Sequence, residues 1–304
     1  MDTSALFTQM SILVLIMAAG FLARRLLIID SESKNHLTRL LLKLTLPATM
    51  IASTTGTPIA IARSAVPRIF LIIAFSFFVM ILLSILLVRL VKIKKENRGI
   101  HEAMALFGNT NFMGIPLVYA FFGSQAMLYG ILYNIVFNLL IFSLGMKQIG
   151  GEKAKVSLGF FISPVMVSSV LAVIFFLVNL QLPATLHSSI HLIGSITTPA
   201  AMLLLGAMLA EMNLRVVFRG TLMYVMVFAR LFLMPIGVFF ALKPFTLDPM
   251  LLQVILLMSA TPVAISIAMF AIHYEKHQEI AAKSIFLSTL FSMFTMPLIL
   301  SILL

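Results

Sequence analysis

Ten long apolar stretches, parted by short polar ones, divide the chain. They lie near residues 5–25, 35–55, 67–91, 101–123, 125–147, 157–180, 190–211, 217–241, 249–273 and 279–303. Each is about the 20 residues that a helix needs to cross the hydrocarbon of a bilayer, and none alternates with the period of two of a barrel strand. The pattern predicts an all-α polytopic membrane protein with ten transmembrane helices. No basic residue precedes the first apolar run, so that run reads as a first span and not as a cleaved signal peptide.

Composition agrees with this reading. Hydrophobic residues make up 61% and charged residues 10%, with a mean hydropathy of +1.12; soluble domains are roughly 45–50% apolar and about 25% charged. There is no cysteine, which excludes disulfides and thiol chemistry, and no tryptophan, which leaves Tyr and Phe for an interfacial belt. The net charge of +11 would raise nucleic-acid binding in a soluble chain. Here the charge follows the spans, and no nucleic-acid partner is expected. Seventeen of the 21 Lys and Arg fall around loops after odd-numbered spans, at Arg24–Lys43, Arg89–Arg98, Lys147–Lys155, Arg215–Arg219 and Lys276–Lys283. Only Arg63, Arg68 and Lys243 follow even-numbered spans, and Arg230 lies inside span 8. The asymmetry places the odd loops in the cytoplasm and both termini outside.

Ten spans divide into two sets of five, and an odd-numbered repeat inserts upside-down the second time. Two internal echoes fit such a repeat. Span 2 carries TLPATM (Thr45–Met50) and span 7 carries TTPAAM (Thr197–Met202). Span 4 is interrupted at GNTNFMGIP (Gly108–Pro116) and span 9 at SATPVAIS (Ser259–Ser266). Matched interruptions point to a transporter built from inverted repeats with a site near the membrane midplane. The halves would be residues 1–148 and 157–304, joined by a polar cytoplasmic linker at 149–156. The competing explanation is that Pro and Gly are simply common in membrane helices.

The interruptions have a chemistry. Pro116 has no N–H and its ring opposes the preceding turn, so the helix is expected to break there. Gly114 would give the backbone the freedom to do so. Freed backbone groups cannot face lipid and must face protein or a watery cavity. Asn109, Thr110 and Asn111 would supply donors and acceptors at the gap; Thr261, Pro262 and Ser266 would build the second broken end. A half-helix restarting after a break presents free N–H groups that favour an anion such as a carboxylate. Asn109 and Asn111 could equally cap helix ends. Asn134 and Asn138, one turn apart in span 5, fit a helix–helix hydrogen bond as well as a ligand contact.

NTNFMGIPL (Asn109–Leu117), TPVAISIAMFAIHY (Thr261–Tyr274) and FLSTLFSMFTMPLIL (Phe286–Leu300) resemble the auxin efflux carrier family and its bacterial members. LTLPATM, ISPVMVSSVLA, TTPAAMLLLGAMLA and RLFLMP extend the resemblance along the chain. It implies two inverted five-helix repeats, as in bile-acid symporters and sodium/proton antiporters, with spans 4 and 9 unwound and crossing. Spans 1, 2, 6 and 7 would form a scaffold, with a homodimer through it. Spans 3–5 and 8–10 would form a transport domain that moves as an elevator. Bacterial relatives are associated with malate and malonate, plant relatives with auxin. A bacterial inner membrane is the implied location.

Arg230 is the sharpest single residue. A mid-span charge costs roughly 2.5–3.5 kcal/mol even on the lenient insertion scale. No carboxylate lies mid-span to pair with it, so its partner must be backbone carbonyls, water or a bound anion. Its role could be structural or substrate-directed. The pairs His187/His191 and His273/His277 have i,i+4 spacing but no third ligand, and no metal or other cofactor is expected. No phosphate-binding loop and no Ser/His/Asp constellation is present, so neither ATP-driven pumping nor enzyme activity is expected. The acidic residues, such as Glu102, Asp248 and Glu279, fall in loops or at membrane edges, which predicts no obligatory proton carrier on the protein. The leading expectation is a secondary transporter or facilitator of a small organic anion. Alternatives are a sodium-coupled symporter of the bile-acid type and a non-transporting membrane sensor or scaffold.

Overall fold

The computed structural model describes residues 3–56, 59–151, 154, 162–211 and 220–303. Expectations for Asp2, Glu152, Lys153, Lys155, Arg215 and Arg219, and for most of the linker and the start of span 6, fall outside these residues. Among the described residues there are sixteen α-helices. They are α1 (Thr3–Arg25), α2 (Ser31–Leu40), α3 (Leu46–Thr55), α4 (Val66–Leu90), α5 (Arg98–Leu106), α6 (Ile115–Phe122), α7 (Met127–Leu140) and α8 (Met146–Gly150). Then come α9 (Pro164–Val178), α10 (Ala184–Ser195), α11 (Thr197–Ala210), α12 (Thr221–Phe228), α13 (Met234–Leu242), α14 (Pro249–Ser259), α15 (Ile265–His273) and α16 (Gln278–Leu303). Among the described residues, five continuous helical stretches are long and apolar enough to cross a membrane: Arg63–Leu90, Ser124–Gly150, Ala184–Ala210, Thr221–Leu242 and Gln278–Leu303. The protein is an all-helical, multi-pass membrane protein.

Five-residue π turns lead into several α-helices; Leu41–Thr45, Ile141–Gly145 and Ala229–Leu233 each join two α-helices end to end, whereas Thr110–Gly114 follows a non-helical stretch. Three of these turns, Leu41–Thr45, Thr110–Gly114 and Ala229–Leu233, stand directly before a helix with proline in its first turn. The prolines are Pro47, Pro116 and Pro235. Proline has no N–H for the carbonyl four residues back, and a π turn absorbs that deficit by shifting hydrogen bonds to i−5. Prolines in this chain therefore mark restarts more than gaps.

Helix α2 starts where Asp30 accepts the Ser33 N–H at 2.7 Å, and none of its side chains is buried. That bond, with others around it, holds the Asp30 carboxyl below the usual carboxylate range. Lys34, Arg39 and Lys43 consequently lie on helical turns and not in an open loop, as the sequence pattern implied.

Two packing groups organise the rest. In one, α1 lies along α11, and α3 packs against α9 and α10. The α1–α11 crossing is backbone on backbone. A Cβ at Gly20 would fall 2.2 Å from the Leu203 carbonyl oxygen, and one at Gly206 1.9 Å from that of Met17. Small residues let membrane helices approach this closely and gain dispersion contacts. Glu211, at the end of α11, pairs with both Arg24 (2.9 Å) and Lys34. In the other group, α4 packs on α5, α7 and α13, and α16 packs on α12 and α15.

Candidate functional site

Both interrupted segments are open at their centres. Span 4 leaves helix at Phe107 and resumes through the π turn Thr110–Gly114. Span 9 leaves helix after Ser259 and resumes at Ile265. The two openings lie against each other. The Asn109 N–H donates to the Pro262 carbonyl at 2.7 Å, and the Ala264 N–H donates to the Phe107 carbonyl at 3.0 Å. Gly108 and Val263 thus form an antiparallel backbone pair. Each opening supplies the partners the other lacks, as a non-helical backbone at membrane depth must have.

The remaining backbone groups are met by side chains. Arg230, in the π turn before α13, is 1% exposed. Its Nε donates to the Thr261 carbonyl at 3.0 Å, and its Nη1 donates to the carbonyls of Ala105 (3.2 Å) and Leu106 (3.1 Å). Its Nη2 donates to the Thr261 hydroxyl at 3.4 Å. The cation therefore sits at the carbonyl ends of α5 and α14, the negative ends of both half-helices. Hydrogen bonds from a charged donor are worth about 1.5–3 kcal/mol each. Several of them outweigh the few kcal/mol that the buried charge costs. Backbone carbonyls, one of the partners considered from sequence, accept three of these bonds.

The structure revises the roles of the glycines and proline. Pro116 does not mark the break. The opening lies at Phe107–Asn109, and Pro116 occupies the first turn of the restarted α6, where a missing N–H is tolerated. Gly114 has right-handed helical angles, φ −59° and ψ −58°. What it supplies is space, since a Cβ there would lie 2.6 Å from the Met258 sulfur. Gly108, which the sequence marked only as the start of the interruption, is the tighter position. A Cβ would fall 2.1 Å from Arg230 Nη2 and 2.2 Å from Thr261 Oγ1. Gly108→Ala is expected to destabilise at the upper end of the about 1–3 kcal/mol that overpacking costs, read as a lowered melting temperature in detergent. An unchanged melting curve would mean that the crossing can yield at this point.

The predicted polar residues gather beside the crossing. The Thr110 hydroxyl donates to Asn134 Oδ1 at 3.0 Å, which joins span 4 to span 5. Asn138 lies one turn further along the same face of α7. Asn109 Oδ1 accepts the Phe112 N–H at 3.4 Å and caps the first restart. Yet Asn109 Nδ2, Asn134 Nδ2, Asn138 Nδ2 and Asn111 Oδ1 are buried with no hydrogen-bond partner among the described residues. The Thr261 hydroxyl donates to the Met258 carbonyl at 2.7 Å, and the Pro262 carbonyl takes the Asn109 N–H. Ser266 sits half-buried in the first turn of α15, whose cap residue Ala264 has no side chain able to cap it. Of the predicted set, Arg230 thus stands on the carbonyl side of the crossing, and the asparagines carry the uncommitted groups.

The same crossing meets the first packing group. The Thr198 hydroxyl lies 3.4 Å from the Pro116 carbonyl, and the Tyr119 hydroxyl lies 2.9 Å from His191 Nε2. The two sequence echoes also touch, with the hydroxyls of Thr49 and Thr197 2.8 Å apart. His187 Nε2 lies 3.1 Å from the Ala52 carbonyl, so both members of this i,i+4 pair are engaged by protein oxygens. Sequence reasoning missed Tyr119, Thr198 and His191 as links between elements, because nothing local distinguishes them from other polar residues near span ends.

A family profile described as "Membrane transport protein" matches residues 5–159 and 153–300. The chain belongs to the auxin efflux carrier family. The chain is also 25% identical over 229 residues, 73% of each protein, to an uncharacterized transporter of Methanocaldococcus jannaschii. It is therefore a membrane transporter by family. Membership in the auxin efflux carrier family gives the crossing a functional context, since a transporter has use for uncommitted polar groups at membrane depth and a purely structural bundle does not.

Proposed function

We propose that this auxin efflux carrier family member is a secondary transporter or facilitator of a small organic anion, a carboxylate of the size of malate, malonate or an auxin-like acid. The observation that carries the reading is the set of three buried amide nitrogens beside the crossing, on Asn109, Asn134 and Asn138, without partners among the described residues. Each such group costs about 1–3 kcal/mol when left unpaired. A carboxylate would satisfy them with charge-assisted bonds, which are roughly twice as strong as neutral ones. The anion would be held by neutral donors, with Arg230 kept at the opposite, carbonyl side.

In this reading ten helices form two inverted repeats, residues 1–148 and 157–304, joined by the linker 149–156. The antiparallel Gly108–Val263 pair and the Thr49–Thr197 contact support it, because each brings together corresponding elements of the two halves. Spans 1, 2, 6 and 7 would be a dimeric scaffold, and spans 3–5 and 8–10 a domain that slides past it. The close packing of α1 on α11 and of α3 on α9 and α10 supports that grouping. The protein would lie in a bacterial inner membrane with both termini extracytoplasmic.

Transport would be driven by the substrate gradient and the membrane potential. The acidic residue nearest the crossing helices is Glu102, half-buried in α5 and accepting from Gln148 Nε2 at 3.3 Å. His101 beside it is buried, not at an open rim, and its Nδ1 lies 2.7 Å from the Asn97 carbonyl. Both lie near the middle of α5, more than one helical turn before the opening at Phe107. Proteoliposomes with the potential clamped at zero are expected to show no accumulation of a permanently charged organic anion under a pH gradient alone, but saturable exchange of at least one of labelled malonate, malate and indole-3-acetate. Accumulation under the pH gradient would overturn this and make His101, Glu102 and His273 the first residues to mutate. Absence of saturable flux for all small carboxylates would overturn the transport reading. The sodium-coupled alternative draws on two unpartnered oxygens, Asn111 Oδ1 and Thr289 Oγ1, and predicts that an imposed sodium gradient drives uptake.

A further inference from the structure

The two openings are secured by different means. At the first, the cap comes from the opening itself, through Asn109 Oδ1 and the Phe112 N–H. At the second, the corresponding residue is Ala264, which has no side chain to offer. The Val263 N–H, inside the opening, is instead taken by Ser288 Oγ at 3.0 Å, from the neighbouring helix α16. Ser288 is fully buried, and its own hydroxyl proton goes to the Ile285 carbonyl at 3.2 Å. That donation fixes the rotor and turns an oxygen lone pair toward Val263. Its neighbours on the same face, Ser284 and Ser292, also donate back to their own helix, to Ala281 and Thr289, but neither is seen taking a bond from the crossing.

We infer that Ser288 is a positioning residue for the substrate site: α16 holds the second broken end in register through the Val263 N–H, and thereby sets where Thr261, Pro262 and the first turn of α15 stand. Val263 pairs with Gly108, and its neighbours Pro262 and Ala264 carry both bonds to the first opening. Releasing the Val263 N–H leaves a buried donor unpaired at the centre of that pair, and the opening can relieve it only by shifting. The expected consequence is weakened binding more than lost folding, since Ser288 meets a single N–H and no carbonyl of α5 or α14. This inference rests on the transport reading for its functional arm, but not for its structural one.

The test compares Ser288→Ala, Ser288→Thr and Ser284→Ala, in the full-length protein. Uptake of labelled malonate, malate and indole-3-acetate is measured in proteoliposomes, and amide hydrogen exchange of the segment 261–267 is followed in detergent. Ser288→Ala is expected to raise KM about tenfold with little change in kcat, and to speed exchange in that segment. Ser288→Thr, which keeps the acceptor, is expected to restore both, and Ser284→Ala to resemble the wild type in both. An unchanged KM and unchanged exchange in Ser288→Ala, or an equal loss in Ser284→Ala, overturns the inference. If the wild-type protein transports none of the three anions, the transport reading fails and the exchange comparison alone decides: faster exchange in Ser288→Ala but not in Ser284→Ala supports the positioning role, and equal exchange overturns it. If Ser288→Thr does not fold, the comparison of the two alanine variants decides in the same way.

Discussion

Arg230→Ala is expected to yield protein that is mostly unfolded or aggregated after extraction, and Arg230→Lys to recover only a minor share. The guanidinium meets three carbonyls and one hydroxyl, from α5 on one side and from Thr261 on the other. Removing it leaves buried acceptors at about 1–3 kcal/mol each, on the order of 5 kcal/mol in all. That is comparable to the whole net stability of many domains. A lysine brings one compact ammonium where a planar fork reaches acceptors in several directions, so the exchange is not conservative. Monodisperse yield and melting temperature in detergent check this. The opposite idea, that Arg230 attracts the anion by charge alone, predicts a well-folded Arg230→Ala with weak binding and a largely restored Arg230→Lys. Wild-type melting of Arg230→Ala would remove the arginine from the architecture of the crossing.

The second large effect is expected at Asn138. Asn138→Asp preserves size and shape but replaces an amide donor by a carboxylate. A site that binds an organic anion through amide N–H groups would lose that donor and gain a like charge, so uptake of labelled malonate, malate or indole-3-acetate should fall at least tenfold. A tenfold loss corresponds to about 1.4 kcal/mol. A sodium site would respond with the opposite sign, because an added carboxylate draws a cation in. Asn138 is a cleaner position than Asn134, whose Oδ1 already holds the Thr110 hydroxyl. Tighter sodium dependence in Asn138→Asp, with uptake retained, would favour the coupled alternative over the one proposed here.

The helical, membrane-spanning character of the chain was legible because it depends on residue type summed over long windows, where single errors cancel. The location of the interruptions was legible to within a few residues, but not their cause. Pro116 attracted attention as the breaker, while the chain opens some seven residues earlier, where no proline stands. A proline announces that a backbone N–H is missing; whether the helix opens there or restarts there depends on what lies opposite, which a single segment does not encode. Gly114 illustrates the same limit, since its value lies in the approach of Met258 from a different helix. Arg230 could be picked out by its cost, and its partners narrowed to three kinds, yet the choice among them required the fold. Ser288 was invisible, although Ser284, Ser288 and Ser292 form an i, i+4, i+8 row in a mostly apolar helix. Such a row reads equally as helices satisfying their own serines, and for two of the three nothing more than that is seen.

The main-chain pairing of the two openings bears on how such proteins diversify. Asn109 N–H to Pro262 and Ala264 N–H to Phe107 are bonds that any residue other than proline could make at the donor positions. The crossing is therefore largely indifferent to the side chains at 111 and 138, which contribute no backbone group to it. Mutation at those two positions can sample new cargo without dismantling the machine that moves it, whereas Gly108 and Arg230 leave almost no latitude and Asn134 is tied to Thr110. A library that randomises residues 111 and 138 while holding 108, 134 and 230 fixed would be rich in folded members, and selection on it would reach altered specificity in few steps.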